Sequence, residues 1–237
     1  MQSLSAAKIL ALWEAGRTQH ALDRALTILL AASPGASRGE LADLSIGERD
    51  ARLLQLRRQV LGAGAEGFAE CPGCTERVEF PLDIAALEGR APSRPPDTLP
   101  HYEIESSGDI IRFRLPTSHD LAEAVAAPDS SLALRELVER CAGQANLPNE
   151  TVEAISQAML QADPAAEITL QLSCPVCAQE WDLLFDISAF FWAEIAAQAQ
   201  RLLREIDALA RAYGWTEHEI LSLPAQRRET YLELVAA

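Results

Sequence analysis

No segment of this 237-residue chain is basic, and that absence is the first constraint on what it can bind. Thirty-five acidic against 20 basic side chains leave a net charge of −15. Residues 1–70 hold eight of each sign, whereas 71–87, 88–166 and 167–237 carry −2, −7 and −6. Such a charge repels phosphate backbones and anionic membranes, so neither nucleic acid nor membrane is an expected partner. No apolar run approaches the roughly 18 residues that cross a bilayer. The opening MQSLSAAKILALWEAG lacks a basic n-region and a small-residue cleavage site, and the expectation is a cytoplasmic protein. H-E-x-x-H, G-x-S-x-G, phosphate-loop and dinucleotide-binding patterns are also missing. His20, His101, His119 and His218 are scattered. No catalytic residues and no small-molecule substrate are therefore expected.

What is present is an ordinary globular composition, 49% hydrophobic and 23% charged, in a chain long enough to bury a core without disulfide staples. Three- and four-residue spacing of Ile9, Leu12 and Trp13, then of Leu22, Leu26, Leu29 and Leu30, predicts two helices separated at Gly16. A third opens at the capping box Ser45-x-x-Glu48, after the breaker Ser33-Pro34-Gly35. Arg49, Arg52, Arg57 and Arg58 are read as its solvated face, paired with nearby acids. Val78, Phe80 and Leu82 alternate as a half-buried strand, and the proline-rich EGRAPSRPPDTLP that follows predicts a loop. Residues 102–105 and 110–113 flank Ser106-Ser107-Gly108-Asp109 as a hairpin, and helices are expected from Pro116-Thr117-x-x-Asp120, around Leu134–Cys141 and around Val152–Met159. Cys141 lies on an apolar helical face and reads as core. After a strand at 167–172, Phe191, Ile195, Ala199, Leu202, Ile206, Leu209 and Tyr213 mark a long helix, either a core helix or a coiled-coil seam. Thr216-x-x-Glu219 caps a short helix, and a last one runs from about Pro224 to Val235.

Four of the five cysteines form two Cys-Pro-x-Cys pairs set in a short internal repeat, CPGCTERVEFPLDIAAL and CPVCAQEWDLLFDISAF. Both copies lead into a strand whose apolar positions match, and Asp83-Ile84 aligns with Asp186-Ile187. In a reducing compartment this pattern points to metal before disulfide. Paired knuckles of this kind present four thiolates tetrahedrally, so Cys71, Cys74, Cys174 and Cys177 are the candidate ligands of one structural Zn2+ per chain. The 99 residues between Cys74 and Cys174 add little closure entropy if their ends lie close together. Thr75 and Ala178 stand where many such turns use glycine.

The C-terminal ALARAYGWTEHEILSLPAQRRETYLELV, with SIGERDARLLQLRRQVLG, FRLPTSHDL and LRELVERCAG earlier in the chain, resembles T4-type phage baseplate proteins. That family includes hub-assembly chaperones of contractile tails and related injection systems. The resemblance implies a non-enzymatic component or assembly factor working in the bacterial cytoplasm or within an assembled phage-like particle. Its partners would be other baseplate and tail proteins, and it supplies no catalytic residues.

The expected architecture is α+β and mostly helical: an N-terminal helical bundle (1–67), a discontinuous zinc-ribbon-like module (68–87 with 167–187), an inserted α/β unit (88–166) and a C-terminal helical arm (188–237). Trp215, Arg227, Arg228, Tyr231 and Leu232 are candidate partner-binding residues by type, against the plainer reading that they pack on the long helix. Two other functions compete. A zinc-ribbon regulator binding nucleic acid would have to draw its positive surface from the N-terminal arginines. A thiol oxidoreductase needs its CxxC at a strand-to-helix junction, whereas both pairs here lead into strands.

Overall fold

A computed structural model of the chain describes residues 4–88, 101–106 and 108–236. It is α+β and mostly helical. The N-terminal bundle comprises α1 (Ala6–Gly16), α2 (Ala21–Ala32), α3 (Arg38–Ala42) and α4 (Ile46–Leu61). Serine side chains start α1, α3 and α4, and the His20 ring starts α2, by accepting bonds from otherwise unpaired N–H groups. Ser5 caps α1, and Ser45 accepts from Glu48 N–H at 3.2 Å to cap α4. The carboxylate of Glu48 goes to Arg52 at 2.6 Å, so only half of the expected box forms. The short α3 was not anticipated, although Ser37 and Glu40 make a complete capping box there.

Two hairpins share one plan: β1 (Gly64–Glu70) pairs with β2 (Arg77–Asp83), and β5 (Ile168–Ser173) with β6 (Glu180–Phe185), both antiparallel. Each ends in a helix, α5 (Ile84–Glu88) after the first and the 27-residue α9 (Ile187–Tyr213) after the second. Strand β1 was not foreseen, because GAEGFAE is poor in strand-forming side chains. Its register with β2, from Gly64↔Asp83 to Glu70↔Arg77, makes it a strand. The proline-rich loop expected after α5 falls at 89–100, outside the described residues.

Helix α9 decides the architecture. Phe191, Ile195, Ala199 and Leu202 are buried in one core with Leu12, Leu26, Ile28, Leu29, Leu53 and Leu56 of the bundle. It is a core helix, and the C-terminal helical arm expected from 188 begins packed among α1, α2 and α4. Gly16 permits this approach, because a Cβ there would stand 2.3 Å from the Trp192 ring. The buried Arg57 ties α4 to α9 further, donating Nε and Nη2 to Glu194 at 2.9 and 2.6 Å and Nη1 to the carbonyls of Gly62 and Gly64. Of the four arginines expected on a solvated face, Arg52 and Arg58 occupy one, paired with Glu48 and Glu88. Arg49 and Arg57 are buried, and their charge is tolerated because the fork donors find fixed acceptors. After Gly214, at φ +71°, α10 (Glu217–Ser222) and α11 (Ala225–Ala236) fold back on α9.

The inserted unit has its own core. Strands β3 (Tyr102–Ser106) and β4 (Asp109–Phe113) form the expected hairpin, turning at Gly108, φ +87°. They pack on α7 (Ser130–Ala142) and α8 (Asn149–Ala162) through Phe113, Leu115, Val138, Cys141, Ile155 and Met159. The expected cap holds: Asp120 accepts from the N–H and hydroxyl of Thr117 and starts α6 (Ser118–Ala124). Burial pushes the Cys141 thiol up to about 12, which fits a core residue and not a nucleophile. Among the described residues, no helix is long and apolar enough to cross a membrane.

Unit and bundle meet at the start of α4. The Ile46 N–H donates to the Pro116 carbonyl at 3.1 Å, and the Gly47 N–H to buried Asp163 at 2.9 Å. The insert thus satisfies donors that a helix start leaves open. A Cβ on Gly47 would stand 1.9 Å from Asp163 Oδ1 and 2.8 Å from the Ala166 backbone nitrogen, which cannot rotate away. Gly47→Ala is therefore expected to cost about 1–3 kcal/mol in chemical denaturation.

Asp50, beside Arg49 at 2.7 Å, generates a second expectation. Desolvation raises its carboxyl to about 6, Asp186 and Asp163 add to the rise, and the charge and hydrogen bond of Arg49 oppose it. A folded pKa above the unfolded value favours folding at low pH, and the contribution fades as pH climbs from about 4 through 6. The stability of the native chain minus that of Asp50→Asn should fall by an amount on the order of 3 kcal/mol between pH 4 and 7. Comparing the two proteins at each pH cancels effects common to both, and a flat difference would contradict the account.

Candidate metal centre

The two Cys-Pro-x-Cys segments are the turns of the β1–β2 and β5–β6 hairpins, and their backbones are wired alike. Cys71 N–H donates to the Glu76 carbonyl and Thr75 N–H to the Cys71 carbonyl, both at 2.9 Å. Cys174 N–H to Gln179 and Ala178 N–H to Cys174 repeat these bonds at the same distances. Thr75 and Ala178, at φ +61° and +58°, take up the left-handed conformation that glycine would adopt without strain. Non-glycine residues in that region carry a penalty of about 1–3 kcal/mol each, and here the paired backbone bonds on either side hold the turn in place.

The matched Asp-Ile of the repeat now has a physical meaning. Asp83 Oδ1 accepts from the N–H groups of Ala85 and Ala86, and Asp186 Oδ1 from those of Ser188 and Ala189. Each aspartate starts the helix after its hairpin, and each following isoleucine, Ile84 and Ile187, is buried in the main core. The repeating unit is therefore a cysteine hairpin followed by a capped helix, anchored in the bundle by its first apolar residue.

The structure brings together all four cysteines expected to act in concert. Their sulfurs lie within 4.8 Å of one another and can hold a metal ion. Across the hairpins, Cys71 faces Cys177 and Cys74 faces Cys174, both at 3.6 Å. Cys71 and Cys174 are buried against Val78 and Trp181, whereas Cys177 is exposed. No disulfide joins any of the five cysteines. The Gly73 N–H donates to Cys71 Sγ at 3.4 Å.

Electrostatics inside the cluster set the thiols apart. N–H groups of Cys177 and Val176 draw the Cys174 thiol down to about 7, the first being the larger cause, against a desolvation that raises it. Glu76 pulls Cys74 down through its backbone, yet Cys177, Cys174 and Cys71 around it, with desolvation, carry it up to about 12. Four sulfurs this close cannot all ionise without a cation among them, and a bound divalent ion removes that conflict.

The candidate partner residues lie elsewhere. Trp215 and Tyr231 form an aromatic cluster with Tyr213, the centroids 4.6 to 5.5 Å apart. Arg228 is buried and donates to Glu205 of α9 at 2.7 Å, leaving Arg227 exposed and Leu232 half-buried on α11. No protein-family model matches the chain, and neither does any curated protein or solved structure.

Replacing Cys71 or Cys174 by Ser is expected to abolish stoichiometric metal binding and lower stability by more than about 4 kcal/mol in denaturant titrations. Cys141→Ser, outside the cluster, should leave metal content unchanged.

Proposed function

We propose that this chain is a non-enzymatic structural component or assembly factor of a phage-like contractile tail or injection-system baseplate, stapled by a structural zinc ion held by Cys71, Cys74, Cys174 and Cys177. The observation that carries the staple is a four-sulfur cluster joining segments separated by 99 residues. A tetrahedral Zn–S length of about 2.3 Å implies sulfur separations of roughly 3.8 Å, close to the 3.6 Å across the hairpins. Four thiolates close the coordination shell, so the ion holds structure and offers no open position to a substrate. The place in a baseplate rests on the resemblance of 45–62, 113–121, 134–143 and the C-terminal helices, and an acidic surface suits recognition of basic partner proteins.

The competing regulator reading draws little from the charge around the cluster. Arg49 and Arg57, two of the arginines a phosphate-tracking surface would need, are buried. A thiol oxidoreductase would set its attacking cysteine at a helix start, and here both pairs sit between strands.

Elemental analysis of the native chain is expected to give one zinc per molecule, with four thiols becoming titratable only on denaturation in chelator. Mixed with the baseplate proteins of the same particle, the zinc-bound chain should co-elute with at least one of them in size-exclusion chromatography. Zinc without co-elution would remove the baseplate assignment and keep the staple. Salt-sensitive retention on DNA would turn the reading toward the regulator, and rapid alkylation of a single native cysteine toward the oxidoreductase.

A further inference from the structure

Three helices of the inserted unit leave an opening between them. Leu121 of α6, Leu134 and Leu137 of α7, and Met159 and Leu160 of α8 line a cavity of about 240 Å3, with Ile46 of α4 and Pro116 completing its wall. Leu134 and Leu160 stand at its mouth, 44% and 40% exposed. The volume falls below the roughly 300–1,000 Å3 of pockets that enclose drug-sized ligands, and it matches a slot for apolar side chains.

The charged side chains that line this slot, Asp163 and Glu167, are of one sign. Arg112, Arg114, Arg135 and Arg140, the arginines of the unit among the described residues, are paired with Glu103, Asp120, Glu139 and Glu123. Glu153 is exposed on α8, three residues before Ser156 and seven before Leu160, which places all three on one helix face. Glu167, also exposed, lines the slot. Neither carboxylate has a basic partner among the described residues. An apolar slot lined by Glu167, with Glu153 about one helical turn before the lining Ser156, is complementary to a leucine-bearing segment flanked by cations. A second copy of this chain fits poorly, since it would bring another net −15 to the same acidic rim.

We propose that this groove docks an amphipathic basic helix of a partner protein, its apolar anchors between α6, α7 and α8 and its arginines or lysines against Glu153 and Glu167. This rests on the reading that the chain works through protein contacts, and on no property of the metal site.

The test uses the full zinc-bound chain and a fluorescently labelled 14-residue peptide made of two Leu-Arg-Arg-Leu-Leu-Arg-Arg heptads. Controls are the same peptide with Glu for every Arg, and a scrambled version that keeps composition but loses the apolar face. The basic amphipathic peptide should bind, the other two much more weakly. The charge-neutral double variant Leu134→Ser with Leu160→Ser, at exposed positions, should weaken binding by about tenfold or more. Leu184→Ser, at a still more exposed position on β6, should leave it unchanged. Glu153→Gln with Glu167→Gln should reduce both affinity and its salt dependence. Undiminished binding by the leucine variant would reduce the effect to diffuse attraction by an acidic surface and overturn the proposal. Tight binding of the acidic peptide would overturn it as well, and so would self-association of the native chain that the leucine substitutions abolish. Probe binding at the groove by a chain that ignores baseplate proteins would uphold the groove and sink only the assignment to that particle.

Discussion

Four sulfurs within 4.8 Å oblige residues 71–74 and 174–177 to meet, and the remaining organisation follows from that meeting. Each hairpin runs straight into a helix whose first apolar residue, Ile84 or Ile187, is buried in the main core. Position one hairpin against the other, and α9 is aimed at α1, α2 and α4. The insert leaves after α5 and returns at β5, at the ends of the two hairpins opposite to their cysteine turns. A metal at this point would couple two hairpins, a bundle and an insert through a single set of bonds, and its binding energy would become folding energy.

Around this centre the chain uses arginine in an unusual way for an acidic protein. It has one lysine and 19 arginines. Arg57 and Arg228 are buried and bridge α9 to α4 and α11, each through a carboxylate and a backbone carbonyl. A planar guanidinium can satisfy several acceptors at once, where an ammonium would keep its hydration. Buried pairs of this sort are poor sources of net stability against an apolar alternative, since desolvation offsets most of the attraction. What they contribute is orientation, because a misplaced helix would leave a buried charge unpaired. Their burial also removes positive charge from the surface.

Much of this was legible from local pattern. The Cys-Pro-x-Cys repeat, the hairpin at 102–113, the caps at Thr117 and Thr216 and the periodicity of α9 are decided within a few residues, by ligand spacing, turn chemistry and N–H groups seeking acceptors. The capping box at Ser37 and Glu40 carried the same signal and would have revealed α3. Other features had no local signature. GAEGFAE becomes β1 only because β2 lies beside it, and Arg57 is buried only because Glu194 waits 137 residues away. Ser45-x-x-Glu48 forms half a box because Arg52 competes for the carboxylate.

The sequence by itself determined most of the element types, β1 excepted, together with the four candidate ligands and the sign of the net charge, because each depends on composition or on neighbours along the chain. Tertiary structure alone decided that the four sulfurs converge and that the long helix is core and not a seam. It also decided which arginines face inward and where three helices leave a groove. Those outcomes depend on contacts between distant residues, whose energies exist only once the chain has closed.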